Sequence, residues 1–164
     1  MATVYLGLGA NLGARAEAID EACARLAASG AHVVSRSPLY ETEPWGITDQ
    51  PRFLNAACVI ETTQAPHALL ATLKAIESGM GRRITARNGP RVIDIDILIY
   101  DAVEIGTEVL RIPHPGMLER ATVLVPLNDI APLVRHTLTG HTIGCHLAML
   151  GRIEGLAPYP PGLS

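Results

Sequence analysis

Residues 92–100 read VIDIDILIY, and this stretch decides the fold because isoleucines and aspartates alternate along it. Side chains at positions i and i+2 of a β-strand point to the same face. Ile93, Ile95 and Ile97 are therefore expected to enter the core, while Asp94 and Asp96 lie together on the opposite face. Two adjacent carboxylates repel each other, and a cation removes that cost. Mg²⁺ suits them because it takes carboxylate oxygens and completes its shell with water and substrate phosphates.

The segments before this strand predict a β-α-β-β-α-β order. Apolar alternation and helical periodicity predict strands at 3–9, 32–40, 53–62 and 92–100, and helices at 15–28 and 66–78. This order is the ferredoxin-like α+β arrangement, an antiparallel sheet with helices on one face. After the core we expect a hairpin-like piece at 103–112, a turn or short helix at 116–120, an extended segment at 122–127 and a helix near 141–150. The predicted organisation is one domain over 1–154 with a proline-rich, loosely ordered tail at 155–164.

Two long loops, 41–52 and 79–91, interrupt this core, and loops of that length in a compact domain are usually functional or disordered. The second loop is rich in glycine and arginine and lies just before the aspartates. Its arginines are Arg82, Arg83, Arg87 and Arg91. Guanidinium groups beside a carboxylate pair match the needs of a triphosphate with bound Mg²⁺. A surface loop that forms ion pairs with Asp94 and Asp96, or an arginine-rich RNA contact, remains an alternative.

Two further residues are candidate phosphate ligands. His114 stands between Pro113 and Pro115, so its backbone is restricted, and it can hold a phosphate oxygen or have a structural role. Arg120 follows closely. The chain has no GxxxxGK[ST] motif and no protein-kinase signature, so the common nucleotide-binding folds are not indicated.

Composition narrows the class of protein. The 164 residues carry a formal charge of -3 and a pI near 6.0, which argues against a nucleic-acid-binding protein. The three cysteines are far apart without a CxxC pair, so they are expected to be reduced thiols packed as small hydrophobes. No signal peptide and no apolar run of about 20 residues is evident, which predicts a cytoplasmic protein without a membrane partner.

Four co-linear blocks resemble the 6-hydroxymethyl-7,8-dihydropterin pyrophosphokinases of folate biosynthesis. The most specific block is residues 87–98, RNGPRVIDIDIL. The other three are GLGANLG at 7–13, YETEP at 40–44 with DQPRFLNA at 49–56, and IPHP at 112–115 with Glu119, Arg120, Pro126 and Leu127. The resemblance runs from about residue 4 to 150. It implies an ATP-dependent diphosphotransferase that is a monomer and uses two Mg²⁺ ions.

The resemblance also implies roles for individual residues. It makes Asp94 and Asp96 the metal ligands, and it makes Arg82 and Arg91 catalytic together with them. ATP is expected to contact Lys74, Glu77, Arg82, Arg91, Ile97, His114 and Arg120. The pterin is expected to contact Thr42, Pro44, Trp45, Phe53 and Asn55, with Phe53 stacked on its ring. The hydroxymethyl oxygen would attack the β-phosphorus of ATP directly, and AMP would leave.

The chain departs from the family pattern at Asn88 and near Thr122, where the family often has aromatic residues. These departures keep a second hypothesis open, a pyrophosphokinase that acts on another pterin-like acceptor. A third is a non-catalytic nucleotide- or pterin-binding module, because fold alone does not fix function.

Overall fold

The computed structural model describes residues 1–44, 49–81 and 91–160. Its strands are β1 (Ala2–Ala10), β2 (His32–Arg36), β3 (Leu39–Thr42), β4 (Phe53–Thr62), β5 (Asp94–Tyr100), β6 (Ile105–Gly106), β7 (Arg111–Ile112) and β8 (Leu156–Tyr159). Its α-helices are α1 (Arg15–Ala28), α2 (Pro66–Gly79), α3 (Ala121–Ile130) and α4 (Ile143–Met149), and a 3-10 helix spans Met117–Glu119. The ferredoxin-like prediction is confirmed, and the bounds of α1 and β4 are those predicted.

The main sheet is antiparallel, with strand order β5-β1-β4-β3-β8, and β2 also pairs with β4. The strand that carries the aspartates, β5, therefore lies at one edge of this sheet. A two-stranded ribbon of β6 and β7 follows it, in agreement with the predicted hairpin.

The core is divided between the two faces of the sheet. On the first face, α1 and α2 cover the inward side chains of β1, β4 and β5, such as Leu6, Ile60 and Ile95. On the second face, α3 and α4 pack against residues such as Ala57 and Leu98. The expectation of helices on one face is therefore incomplete. Asp94 and Asp96 lie on this second face and are half-buried among the described residues.

The extended segment predicted at 122–127 is wrong, because this segment belongs to α3. Its β-branched residues and Pro126 favour extended structure locally. Leu124 and Leu127, however, stand three positions apart, which places both on one side of a helix, and both are fully buried in the second core. Burial of these side chains outweighs the local preference.

The loosely ordered tail is also wrong for residues 156–159, which form β8. This strand pairs with β3 from Leu39↔Tyr159 to Thr42↔Leu156. A free strand edge offers unpaired backbone donors and acceptors, and the tail satisfies those of β3. The helix predicted near 141–150 is confirmed as α4. No helix within the described ranges is long and apolar enough to cross a membrane.

Candidate active site

The two aspartates lie on the second face of the sheet, and both are half-buried. In the sheet register, Asp94 lies opposite Gly9 and Asp96 lies opposite Gly7 of β1. The isoleucines between and around them are buried against α1 and α2, as the alternation predicted. Packing of the isoleucines in the core thus fixes the direction in which the two aspartates point.

Glycines form the floor beneath this face. Gly9 pairs with Asp94 on one side and with Asn55 of β4 on the other, so the three residues form a row across the sheet. A Cβ atom added to Gly9 would lie 3.0 Å from Asn55 Oδ1 and 3.8 Å from Phe53 Cδ1. The missing side chain therefore lets the Asn55 amide lie close to the β1 backbone. The alternation of glycine with large apolar residues in β1 is the sequence signal for this floor, and the sequence reasoning did not use it.

Two cavities open above the floor and meet at Asp96. The Phe53 cavity is lined by Thr42, Glu43, Phe53, Asn55, Arg91, Asp96, Arg120, Thr122 and Val123. The Lys74 cavity is lined by Leu70, Lys74, Ile95, Asp96, Ile97, Glu108, Val109, Leu110, Arg111, His114 and Pro115. A smaller space, lined by Gly7, Gly9, Asp96, His114 and Arg120 among others, lies near both. Two molecules bound in these cavities would each approach the Asp96 carboxylate.

The Phe53 cavity combines one aromatic face with an ordered amide. The Asn55 side chain donates from Nδ2 to Thr42 Oγ1 over 2.6 Å. This bond fixes the orientation of the amide. Nδ2 faces Thr42 on the neighbouring strand, and Oδ1 is the end that is available to a ligand. From α3, Thr122 and Val123 add small side chains, and Phe53 is the single aromatic residue among the described residues that line this cavity.

Arg91 connects the acid pair to that aromatic ring. Its Nη1 lies 3.2 Å from Asp94 Oδ2, and its Cζ lies 5.4 Å from the centre of the Phe53 ring. The alternative reading of Asp94 as an ion-pair partner of a neighbouring arginine is thus realised geometrically. The same arrangement keeps a cation beside the place where phosphate charge would develop.

His114 is held in one tautomer by its own loop. Its backbone N–H donates to Leu98 O over 2.9 Å, and its Nδ1 accepts from the Gly116 N–H over 3.2 Å. Burial lowers the pKa of His114, the charge of Arg120 lowers it further, and Asp94 opposes the shift. A neutral imidazole that accepts at Nδ1 carries its proton on Nε2, so this ring presents a neutral N–H donor.

Glu77, which is expected to contact the nucleotide, is bonded to β5. Its side chain is buried, and its Oε2 accepts a 2.8 Å hydrogen bond from the backbone N–H of Ile95. Its other oxygen lies 3.4 Å from the ammonium nitrogen of Lys74, which is exposed and lines the Lys74 cavity. Glu77 therefore acts on the site through β5, and Lys74 is the member of the pair that faces the cavity.

Asn11 ties the backbone on both sides of the site together, and the sequence reasoning assigned it no role. Its side chain donates to Gln50 Oε1 and to Pro51 O, each over 2.9 Å. Its Oδ1 accepts from the Arg91 N–H over 2.9 Å. One buried amide thus holds the chain after residue 48 and the chain at residue 91, next to β1.

The remaining predicted site residues divide into two groups. Ile97, Arg120 and Asp96 lie where the cavities are lined, and Pro44 follows the cavity residue Glu43 and is half-buried. Trp45 and Arg82, together with Asn88, lie outside the described residues. Arg111 is a further cation in the Lys74 cavity that sequence reasoning missed. The position of Arg111 directly before Ile112 and Pro113 is the feature of the sequence that could have identified it.

The donor set suits a metal that uses few protein ligands. Within residues 1–44, 49–81 and 91–160 there is no cluster of three or more His, Cys, Asp or Glu side chains that could hold a metal ion. Asp94 and Asp96 supply carboxylate oxygens on one face, which is the donor type that Mg²⁺ takes when phosphates and water fill its other positions. The residues present therefore fit magnesium better than zinc, which is held by three or four protein ligands.

Comparison with protein families and known proteins gives a consistent result. The family model for 7,8-dihydro-6-hydroxymethylpterin-pyrophosphokinase (HPPK) matches residues 5–132. A 2-amino-4-hydroxy-6-hydroxymethyldihydropteridine pyrophosphokinase of Methylorubrum extorquens is 48% identical over 151 residues, which cover 92% of this chain and 94% of that protein. The protein of the same name from Bacillus subtilis is 42% identical and is matched over 82% of this chain and 81% of its own length.

Solved structures give the same fold at greater distance. The crystal structure of Plasmodium falciparum HPPK-DHPS with pteroate matches 90% of this chain with a TM-score of 0.74 at 20% identity. This chain covers 42% of that protein. At this identity the likeness supports the ferredoxin-like architecture alone.

Proposed function

The chain belongs to the 7,8-dihydro-6-hydroxymethylpterin-pyrophosphokinase family, and we propose that Asp94 and Asp96 are the centre at which its two substrates meet. The reaction is the ATP-dependent transfer of diphosphate to the hydroxymethyl group of the dihydropterin in folate biosynthesis. The enzyme is a diphosphotransferase that binds small-molecule substrates. The assignment of individual residues to that reaction is the proposal developed below.

The observation that carries the proposal is that Asp96 lines both cavities. A transfer between two bound molecules requires that the reacting atoms be brought within about 3–3.5 Å of each other. Among the described residues, Asp96 is the one that both linings share, so ligands of the Phe53 and Lys74 cavities would approach each other there. ATP is assigned to the Lys74 cavity because Lys74, Arg111 and His114 supply cations and a neutral donor.

Mg²⁺ fits the acid pair, and two ions are proposed there. When bound, they neutralise phosphate charge and help to align the donor and the acceptor. Asp94 and Asp96 are the residues that would hold them. Arg91 already lies beside Asp94, so it can exchange that carboxylate for a phosphate oxygen when the substrate arrives.

The protein groups then act by position and charge. The hydroxymethyl oxygen attacks the β-phosphorus and its proton passes to solvent, while the bond to the α,β-bridging oxygen breaks and AMP leaves with that oxygen. Arg91 and Arg120 stabilise the negative charge of the transferring group, and the His114 Nε2–H donates to a phosphate oxygen. Arg82 is proposed to assist as well, and it lies outside the described part of the chain.

The pterin is assigned to the Phe53 cavity. Its ring would stack on Phe53, and the amide of Asn55, oriented by Thr42, would bond to a polar edge of the heterocycle. Gly9 allows the Asn55 amide to take this position, because a Cβ there would lie 3.0 Å from Asn55 Oδ1. Pro44 and Trp45 are proposed to complete the pocket from the adjoining loop. We further propose that the enzyme is a monomer of the cytoplasm with no nucleic-acid or membrane partner.

The experiment that tests this proposal identifies the products. Purified protein is incubated with ATP, Mg²⁺ and 6-hydroxymethyl-7,8-dihydropterin, and the nucleotides are separated chromatographically while the pterin is followed by mass spectrometry. AMP and a diphosphorylated pterin in equal amounts are expected. ADP with a monophosphorylated pterin would contradict the proposal, and AMP formed without the pterin would show hydrolysis instead of transfer.

A further inference from the structure

The strand β8 lies outside residues 5–132, which the family model matches, yet it adjoins the wall of the Phe53 cavity. It pairs with β3 along the whole length of that strand. The backbone contact continues one residue further, because the Glu43 N–H donates to Gly155 O over 3.0 Å. Thr42 and Glu43 both line the cavity. The backbone of this cavity wall is therefore hydrogen-bonded to β8 and to the residue before it.

The Glu43 side chain lies directly against Gly155. The Gly155 φ of +72° is in the left-handed region, which glycine adopts at little cost. A Cβ atom at this position would lie 3.1 Å from Glu43 Oε2, 3.2 Å from Cδ and 3.3 Å from Cγ. Three atoms of one side chain would be crowded, so Glu43 has to move if Gly155 gains a side chain. Gly155 thus serves two needs, the turn into β8 and the position of Glu43.

A single guanidinium group joins β8 to the neighbouring strands. Arg15, the first residue of α1, has its Cζ 5.4 Å from the centre of the Tyr159 ring. Its Nη2 lies 2.8 Å from Glu41 Oε2 on β3, and its Nη1 donates to Arg52 O over 2.9 Å. Arg52 directly precedes Phe53, the first residue of β4. This cation therefore holds β8, β3 and the entry to β4 together, with the cation–π contact and forked hydrogen bonding that suit arginine.

We propose that Arg15, Gly155 and Tyr159 are positioning residues for the acceptor substrate, and this inference rests on the assignment of the pterin to the Phe53 cavity. The three residues stand behind the cavity wall and are not part of its described lining. They act by holding β3, the Glu43 side chain and the entry to β4 in place. Loss of one of these contacts should weaken binding of the acceptor.

The same loss should leave the nucleotide side unaffected. The Lys74 cavity is bordered by α2, β5 and residues 108–115, and no residue of β3 or β8 is part of its described lining. A change in β8 therefore shifts groups around one substrate. General damage to the fold would alter both cavities together, so the KM values for the two substrates separate a positioning role from a role in stability alone.

A pair of glycine variants tests the proposal. Gly151 has a φ of +71°, close to that of Gly155, but a Cβ atom there meets nothing within 4 Å. Gly155→Ala and Gly151→Ala therefore carry the same backbone strain and differ in the contact with Glu43. We expect the KM for the dihydropterin to rise roughly threefold or more in Gly155→Ala, with the ATP KM and kcat near the wild-type values. Gly151→Ala should match the wild type in all three constants, and equal pterin KM values in the two variants would overturn the proposal.

A pair of tyrosine variants tests the contact with Arg15 and decides the question if Gly155→Ala does not fold. Tyr159→Ala removes the ring beside the guanidinium, whereas Tyr159→Phe keeps it. The pterin KM should rise roughly two- to fivefold in Tyr159→Ala, the range that one cation–π contact supplies, and return to the wild-type value in Tyr159→Phe. A wild-type pterin KM in Tyr159→Ala, or an equal rise in the ATP KM, would refute the positioning role.

Failure of this proposal is distinguishable from failure of the proposed function. A wild-type protein that forms no AMP and no diphosphorylated pterin would overturn the function itself. Normal transfer by the wild type, together with an unchanged pterin KM in Gly155→Ala and Tyr159→Ala, would overturn the role of β8 alone.

Discussion

The buried carboxylate of Glu77 accepts a 2.8 Å hydrogen bond from the backbone N–H of Ile95, the residue that separates Asp94 from Asp96. Because β5 is an edge strand, its outward backbone donors have no strand partner, and α2 supplies one through Glu77. The direction of the two aspartates therefore depends on a residue of a helix on the opposite face. This contact connects the packing of the first core to the chemistry of the second face.

Glu77→Ala should damage both stability and catalysis. It leaves the buried Ile95 N–H without this acceptor, which costs about 1–3 kcal/mol of unfolding free energy. Glu77→Gln retains an acceptor oxygen and should cost less. Urea unfolding and kcat measured on the same samples check this, and Glu104→Ala serves as the control because it removes an exposed carboxylate outside this contact. Equal stability of wild type and Glu77→Ala would contradict the structural role.

Gly9→Ala should weaken binding of the acceptor more than binding of ATP. The added Cβ would lie 3.0 Å from Asn55 Oδ1, and overpacking of this kind costs about 1–3 kcal/mol. KM for the dihydropterin should therefore rise roughly tenfold or more. Steady-state kinetics with each substrate varied in turn measures the difference. Gly106→Ala is the matched control, because a Cβ there meets nothing within 4 Å. An unchanged pterin KM would remove the glycine floor from the account.

Stability should fall as the pH drops below neutrality. Burial lowers the pKa of His136 and of His146, and the charge of a neighbouring histidine lowers each pKa further. Burial and the charge of Arg120 lower the pKa of His114. A depressed pKa in the folded state means that the unfolded state binds more protons. The stabilisation is complete above the ordinary histidine pKa of about 6.5 and is lost as the pH falls through the lower folded value.

Urea midpoints measured between pH 7.5 and 5.5 check this dependence. They should decrease steadily in the wild type. The slope should be smaller in His146→Gln, which lacks one of the buried imidazoles, and unchanged in His67→Gln, whose side chain is exposed on α2. A midpoint that stays constant over this range would show that these histidines do not couple folding to protonation.

Hydrophobic periodicity and residue composition were sufficient to predict the parts of the fold that have strong local sequence patterns. The isoleucine–aspartate alternation of β5 and the helical spacing of α1 each agree with their tertiary surroundings, so both were predicted correctly. The prediction of an extended segment at 122–127 was wrong because the β-branched residues and Pro126 favour a strand locally. Burial of Leu124 and Leu127 stabilises the helix α3 instead. The strand β8 was not predicted because its partner, the edge of β3, is distant in the sequence.

Sequence reasoning finds candidate site residues where chemistry depends on residue type, and it does not find residues whose position depends on contacts. The chemistry of carboxylates and arginines can be inferred from the residue type alone. The structure brings Asp94 and Arg91 together. The positioning roles of Asn11 and Glu77 depend on hydrogen bonds to backbone groups far along the chain. Such partners have no signature in one sequence, because any backbone N–H or carbonyl can serve.

Metal dependence of nucleotide binding tests the central claim most directly. Calorimetric titration with a non-hydrolysable ATP analogue, with and without Mg²⁺, should show at least roughly tenfold tighter binding with the metal in the wild type, a gain of about 1.4 kcal/mol. In Asp96→Asn that gain should disappear, while Glu104→Gln, which removes an exposed charge after β5, should keep it. Binding that is equally tight without Mg²⁺ in the wild type, or a full magnesium effect in Asp96→Asn, would contradict the account.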